Sequence, residues 1–209
     1  MSNKELINNL CSYSEEREWF EFKENWFEPR ELGQYISAIS NVSAAFGKEY
    51  GYFIWGVNND THEITGTNFN PNKDVKGEPL QHYLARNLTP KIMFSFEEET
   101  VNWKRVVVLK IEAAKTTPTA FEGTRYYRIG SSKVDLLKYP ERESYLFSVL
   151  KNGIPSITNT ESDYQDLSFN KLLVYYATKG ITLNKKTFKK NLCLLTESGK
   201  YNILAQLLA

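Results

Sequence analysis

The chain has 209 residues, 26 Lys and Arg against 25 Asp and Glu, a formal net charge of +1, and 41% apolar and 14% aromatic residues. That length fits one large domain or a domain with a small appendage, and the composition supports a packed core while excluding a disordered or low-complexity chain. No run of about 18 apolar residues predicts a membrane span, no apolar core after Met1 predicts secretion, and Cys11 and Cys193 lack the spacing of a zinc site or disulfide framework, so a cytoplasmic protein with reduced thiols is expected.

Residues 4–12 carry Leu6, Ile7 and Leu10 at helical spacing and predict a short helix. Residues 19–23 alternate aromatic and charged side chains, which predicts a strand with Trp19, Glu21 and Lys23 on one face and Phe20 and Phe22 on the other. Pro29 suits a helix first turn. Leu32, Tyr35, Ile36, Ile39, Val42, Ser43 and Phe46 then predict an amphipathic helix over 30–46, stopped at Gly47.

Residues 50–57 are almost continuously apolar, the pattern of a strand buried on both faces. Asn58, Asn59 and Asp60 read as a turn before a short return strand at 62–65, and 71–76 read as a loop. A helix follows over 78–87, then a hairpin of 91–98 and 103–113 with its turn at 99–102. Residues 116–123 read as a polar connection, 125–130 as a strand and 140–152 as a helix.

A polar stretch with Gly153 and Pro155 predicts a linker over 153–166 between a domain at 1–152 and a helical segment at 167–209. That segment is predicted to hold helices at 167–179 and 184–193 and a turn at Glu197, Ser198, Gly199 and Lys200, an order resembling a helix-turn-helix appendage. Residues 203–209 end the chain on an apolar run that needs something to pack on, so the chain is expected to be the N-terminal part of a longer protein, with 167–209 the start of a further domain. Charge is uneven: residues 163–209 hold seven Lys against Asp163, Asp166 and Glu197, a net of +4. A basic tail fits a phosphate partner and equally fits a solvated helical face.

Three segments stand out together. The first holds Glu16, Glu21, Phe22 and Lys23. The second holds Ala38 and Asn41, then Gly51, Gly56, Val57 and Gly66 around the turn at 58–60. The third holds Tyr126, Tyr127, Arg128, Gly130 and Ser131. Singly these are ordinary: Glu21 and Lys23 pair or face solvent on most strands, and the glycines serve turns and packing. In this order and spacing, over about residues 10–150, they resemble the Schlafen AlbA-like domain, found in bacterial proteins labelled transcriptional regulators and in animal Schlafen proteins.

The resemblance implies an α+β fold, with a mixed, mostly antiparallel sheet and packed helices. It also implies a homodimer whose paired lobes form a groove. As a nucleic-acid-binding module of a regulator or defence protein, acting on DNA or RNA, the domain would use Lys23, Arg128, Ser131 and Lys133 for phosphate contacts, which give affinity rather than sequence choice. As a metal-dependent endoribonuclease acting on structured RNA such as tRNA, it would use Glu16, Glu21 and Lys23 in catalysis. Glu16 and Glu21 would then hold Mg²⁺ or Mn²⁺ with a third carboxylate. Asn59 stands at that third position, with Asp60 as its neighbour, and an amide brings no charge to a metal. No cofactor is otherwise implied. A third reading is a non-catalytic interaction scaffold. The chain lacks a G-x-x-x-x-G-K-[ST] motif, so ATP binding is expected only from a region beyond it.

Overall fold

The computed structural model describes residues 2–196 and 198–209; Met1 and Glu197, the first residue of the expected turn, lie outside the described residues. The chain forms two compact units, one reaching Ile154 and the other Pro155–Ala209.

The first unit begins with α1 (Asn3–Cys11), opened by a capping box in which Ser2 and Glu5 satisfy each other's backbone N–H groups. Next come β1 (Phe20–Lys23), α2 (Pro29–Ala45) and β2 (Tyr50–Trp55). A small hairpin of β3 (Asp74–Val75) and β4 (Glu78–Pro79) leads to α3 (Leu80–Asn87) and β5 (Leu88–Thr89). The long hairpin of β6 (Phe94–Val101) and β7 (Lys104–Glu112) follows, then β8 (Ala120–Phe121), β9 (Thr124–Ile129), β10 (Ser132–Asp135) and α4 (Pro140–Asn152).

The central sheet has the order β1-β2-β7-β6, parallel between β1 and β2 and antiparallel elsewhere. On one face, Leu32, Ile36 and Ile39 of α2 pack with Phe53, Trp55, Leu109 and Ile111. On the other, Leu6, Ile7 and Leu10 of α1 cover Phe20, Phe22, Ile54 and Val108. This two-sided cover explains the unbroken apolar run of β2. Gly51 lets α2 lie that close, since a Cβ there would sit 2.3 Å from Ile39 Cγ2 and 2.7 Å from the Trp19 carbonyl.

A second antiparallel sheet, β10-β9-β8-β5, wraps the far side of α2. Asn41, buried on that helix, fastens it: its amide donates to the Thr119 and Tyr126 carbonyls and accepts from Thr119 N–H at 2.6–2.8 Å. A small polar residue in this helix is therefore needed to satisfy loop backbone that water cannot reach.

Several expectations are corrected. The return strand at 62–65 is a single bridge between Val57 and Ile64. The loop at 71–76 contributes to the β3–β4 hairpin. The β6–β7 turn is Asn102 and Trp103, with φ of +51° and +64°, starting three residues and ending one residue later than expected. Trp is a strand residue by propensity, but here its side chain is 98% exposed at the hairpin tip. The connection at 116–123 contains β8 and a turn at Glu122 and Gly123, both at positive φ.

The second unit contains α5 (Asn170–Thr178), α6 (Phe188–Asn191) and α7 (Ile203–Leu208) around Phe169, Leu172, Phe188, Leu194 and Ala205. α6 is one turn long, so the second helix expected of a helix-turn-helix is not formed at length. Leu195 bridges Tyr201. Much of the stretch expected as a linker belongs to this unit: Glu161 bridges Asn202, and Ser162 N–H donates to the Tyr201 carbonyl at 2.8 Å. Among the described residues no helix is long and apolar enough to cross a membrane.

Candidate functional site

β1 carries Phe20 and Phe22 into the α1 face of the core, so strand alternation turns Glu21 toward the α2 face. Glu21 is 2% exposed there. Burial of a carboxylate requires partners. Lys23 Nζ lies 2.5 Å from Glu21 Oε1, and Arg128 Nη2 lies 2.5 Å from Glu21 Oε2. The second contact is an ion pair outside hydrogen-bonding geometry, and Arg128 Nε has no hydrogen-bond partner.

Arg128 comes from β9 and is fully buried. Its Nη1 donates to the Phe20 carbonyl at 2.6 Å, and its Nη2 lies 3.3 Å from Glu16 Oε2. Glu16 Oε1 accepts from Phe22 N–H at 2.6 Å. Two carboxylates and two cations thus neutralise one another at the junction of the two sheets. Burial raises the Glu16 carboxyl to about 7, and the Glu21 charge adds to the rise. The Phe22 N–H and the Arg128 guanidinium oppose it.

Beside this network is a groove of about 400 Å³ whose lining includes Ser14, Glu15, Glu16, Asn59, Asp60, His62, Gly130 and Ser131. Asn58 shapes its rim, accepting through Oδ1 from the Asp60 and Thr61 N–H groups. His62 holds the rim to the preceding segment: its Nδ1 donates to the Tyr13 carbonyl at 2.8 Å, and its ring packs on Phe22. On the other side, Gly130 N–H donates to Glu18 at 3.0 Å.

The structure therefore brings Glu16, Asn59, Asp60 and Ser131 to one groove and puts Glu21 and Arg128 beneath it. Arg128 is corrected as a phosphate contact: its guanidinium is sealed from solvent and committed to Glu16, Glu21 and Phe20. Lys133 is half-buried, donating to Gln34 Oε1 at 2.6 Å and lying over the Tyr35 ring, and burial lowers its pKa. Lys23 reaches Asn59 Oδ1 at 3.2 Å as well as Glu21. Ser131 is exposed.

The metal set of Glu16, Glu21, Asn59 and Asp60 is corrected as well. All four oxygens of Glu16 and Glu21 already face Phe22 N–H, Lys23 or Arg128, and the Asn59 amide oxygen faces Lys23. Two interposed cations oppose a third. Among the described residues no group of three His, Cys, Asp or Glu side chains is placed to hold a metal ion. Mg²⁺ or Mn²⁺ does not fit this arrangement, and no chemistry is routed through one. The sequence reading missed Gln34 and Glu18 as partners of Lys133 and Gly130; both contacts span about a hundred residues of chain, and neither residue carries a local motif.

An α+β domain with a mixed sheet and a glutamate pair clasped by a strand arginine defines the class. The Schlafen, AlbA_2 family model matches residues 16–137, more than half of the chain, and the chain belongs to that family. No curated protein matches it. Among solved structures it is similar to the DIP2311 protein from Corynebacterium diphtheriae, at 16% identity and a TM-score of 0.43, over 97% of this chain and 38% of that one. It is also similar to the N-terminal domain of a protein described as ATP-dependent DNA helicase RecG-related from Nitrosomonas europaea, at 23% identity and a TM-score of 0.39, over 63% of this chain and 91% of that one. The chain thus spans well under half the length of the DIP2311 chain.

Removing the guanidinium alone leaves two buried carboxylates facing one lysine. Arg128→Met is expected to cost about 3–5 kcal/mol of unfolding free energy. Adding Glu16→Gln and Glu21→Gln is expected to recover more than half of that loss, read from denaturant melts of the three proteins. No recovery would mean that the guanidinium acts by packing alone.

The raised Glu16 carboxyl sets a second expectation. Between its ordinary value and about 7, the folded chain keeps a proton that the unfolded chain releases. This contribution is complete below about 4.5 and is lost as pH rises to about 7. Glu16→Gln, which keeps an acceptor for Phe22 N–H, is expected to flatten the fall in stability across that window. Parallel stability profiles for the two proteins would contradict it.

Proposed function

We propose that this protein is a nucleic-acid-binding module that holds its ligand by backbone electrostatics and does not cleave it. The observation that carries this reading is the distribution of charge. In the first unit the buried glutamates are neutralised internally by Arg128 and Lys23. In the second, residues 155–209 hold seven lysines against four carboxylates, a net of +3.

Lys171, Lys179, Lys185, Lys186 and Lys190 are exposed there. Among the described residues the ion pair formed in this unit is Lys200 with Glu161. Uncompensated exposed lysines release counterions when they meet phosphates, which gives strong, salt-dependent and sequence-tolerant affinity. Membership of the Schlafen, AlbA_2 family supports the same reading. Ser131 offers a further polar contact at the groove.

Gel-shift titrations of labelled RNA and DNA at rising salt test this. Wild-type affinity is expected to fall steeply with salt. The Lys185→Glu/Lys186→Glu/Lys190→Glu variant is expected to bind at least tenfold more weakly, with a log–log salt slope shallower by roughly 2–3. Absence of binding by the wild type at low salt, together with capture of a protein partner, would replace this reading with the scaffold.

A further inference from the structure

Segment 13–19 separates the groove described above from a second one. This second groove, of about 290 Å³, runs along α1 and is walled by Tyr13, Trp19, Tyr50 and Tyr52. All four rings are half-buried, so part of each remains open to solvent. Tyr13 meets Trp19 at 6.1 Å and 86°, and Trp19 meets Tyr52 at 6.2 Å and 68°. The rings stand as walls to one another rather than closing into a stack.

Three of the four walls carry a cation. Lys48 Nζ lies 5.1 Å from the Trp19 ring, the Arg17 guanidinium 5.7 Å from Tyr13, and Lys110 Nζ 3.9 Å from Tyr50. Among the described residues these three cations form no ion pair; their contacts are the rings. Of the nearby acids, Glu112 pairs with Lys115, Glu97 accepts from the uncharged Asn3 and Ser95, and Glu49 stands in the lining next to Lys48. The groove therefore presents aromatic surface edged by flexible cations, with Arg17 and Lys48 at the Tyr13 and Trp19 rings. A ligand that complements both is flat, apolar on its faces and anionic at its edge.

We propose that this groove seats a single-stranded segment of nucleic acid, with an unpaired base against Trp19 and Tyr52 and its flanking phosphates on Arg17 and Lys48. A duplex hides its base faces within its own stack, whereas a single strand or loop can turn one out onto an aromatic platform. The Tyr13 carbonyl, at the edge of this groove, accepts from Nδ1 of His62, which lines the first one. This inference rests on the nucleic-acid reading above and narrows it to unpaired strands.

The test compares a 12-nucleotide oligouridine or oligothymidine with a blunt duplex. The proteins are the wild type, Arg17→Glu/Lys48→Glu and Tyr52→Leu, each checked for an unchanged melting transition. The first variant alters exposed side chains, so it probes the groove even if Tyr52→Leu unfolds. Single-strand affinity is expected to fall roughly tenfold in each variant while duplex affinity holds within about twofold. Equal losses for strand and duplex, or none for the strand, would overturn the inference and leave the general reading standing. A wild type that binds neither would overturn both.

Discussion

A guanidinium with no access to water, Arg128, holds this fold together where its two sheets meet. It projects from β9 and reaches β1 through the Phe20 carbonyl and Glu21, and the segment before β1 through Glu16, across as many as 112 residues of chain. Stripping water from such a charge is costly, and the cost is recovered only when every partner is in place. The partners are in place because Phe20 and Phe22 are locked under α1, which fixes the rotation of β1 and therefore the direction of Glu21. An apolar strand face thus determines the position of a charge on the opposite face.

That dependence sets what the site can do. Carboxylates left open in a groove attract metal ions or repel phosphates. Here Glu16 and Glu21 do neither, because Arg128 and Lys23 have neutralised them, and Asn59 brings an amide where a third carboxylate would strengthen a metal site. The cations free to meet a ligand lie elsewhere: on the exposed lysines of the second unit, and on Arg17, Lys48 and Lys110 over aromatic rings. Charge used for folding and charge left for binding are carried by different residues.

Much of the scaffold is legible in the sequence because it obeys local periodicity. Leu6, Ile7 and Leu10 mark α1, Leu32 to Ile39 mark α2, and the apolar run of β2 marks a strand covered on both faces. Spaced residues such as Asn41, Gly51 and Arg128 point to the family, which the match over 16–137 establishes. What periodicity cannot carry is the destination of a polar side chain. Arg128, between Tyr127 and Ile129 on a short strand, looks like a surface contact until its distant glutamates are placed beside it. Trp103 looks like strand and forms a turn, because the twist of a two-residue hairpin dictates positive φ whatever the residue's propensity. Residues 160–162 look like linker and instead hydrogen-bond to a segment 40 residues later, a pairing no local pattern encodes.

The central claim, that Arg128 and Lys23 neutralise the glutamate pair in place of a metal ion, is tested most directly by titrating the protein with Mn²⁺ and following free metal by electron paramagnetic resonance. The account expects wild-type protein and the Glu16→Gln/Glu21→Gln variant to take up Mn²⁺ equally weakly, with no stoichiometric site. One tightly held Mn²⁺ per chain in the wild type, lost in the variant, would contradict it.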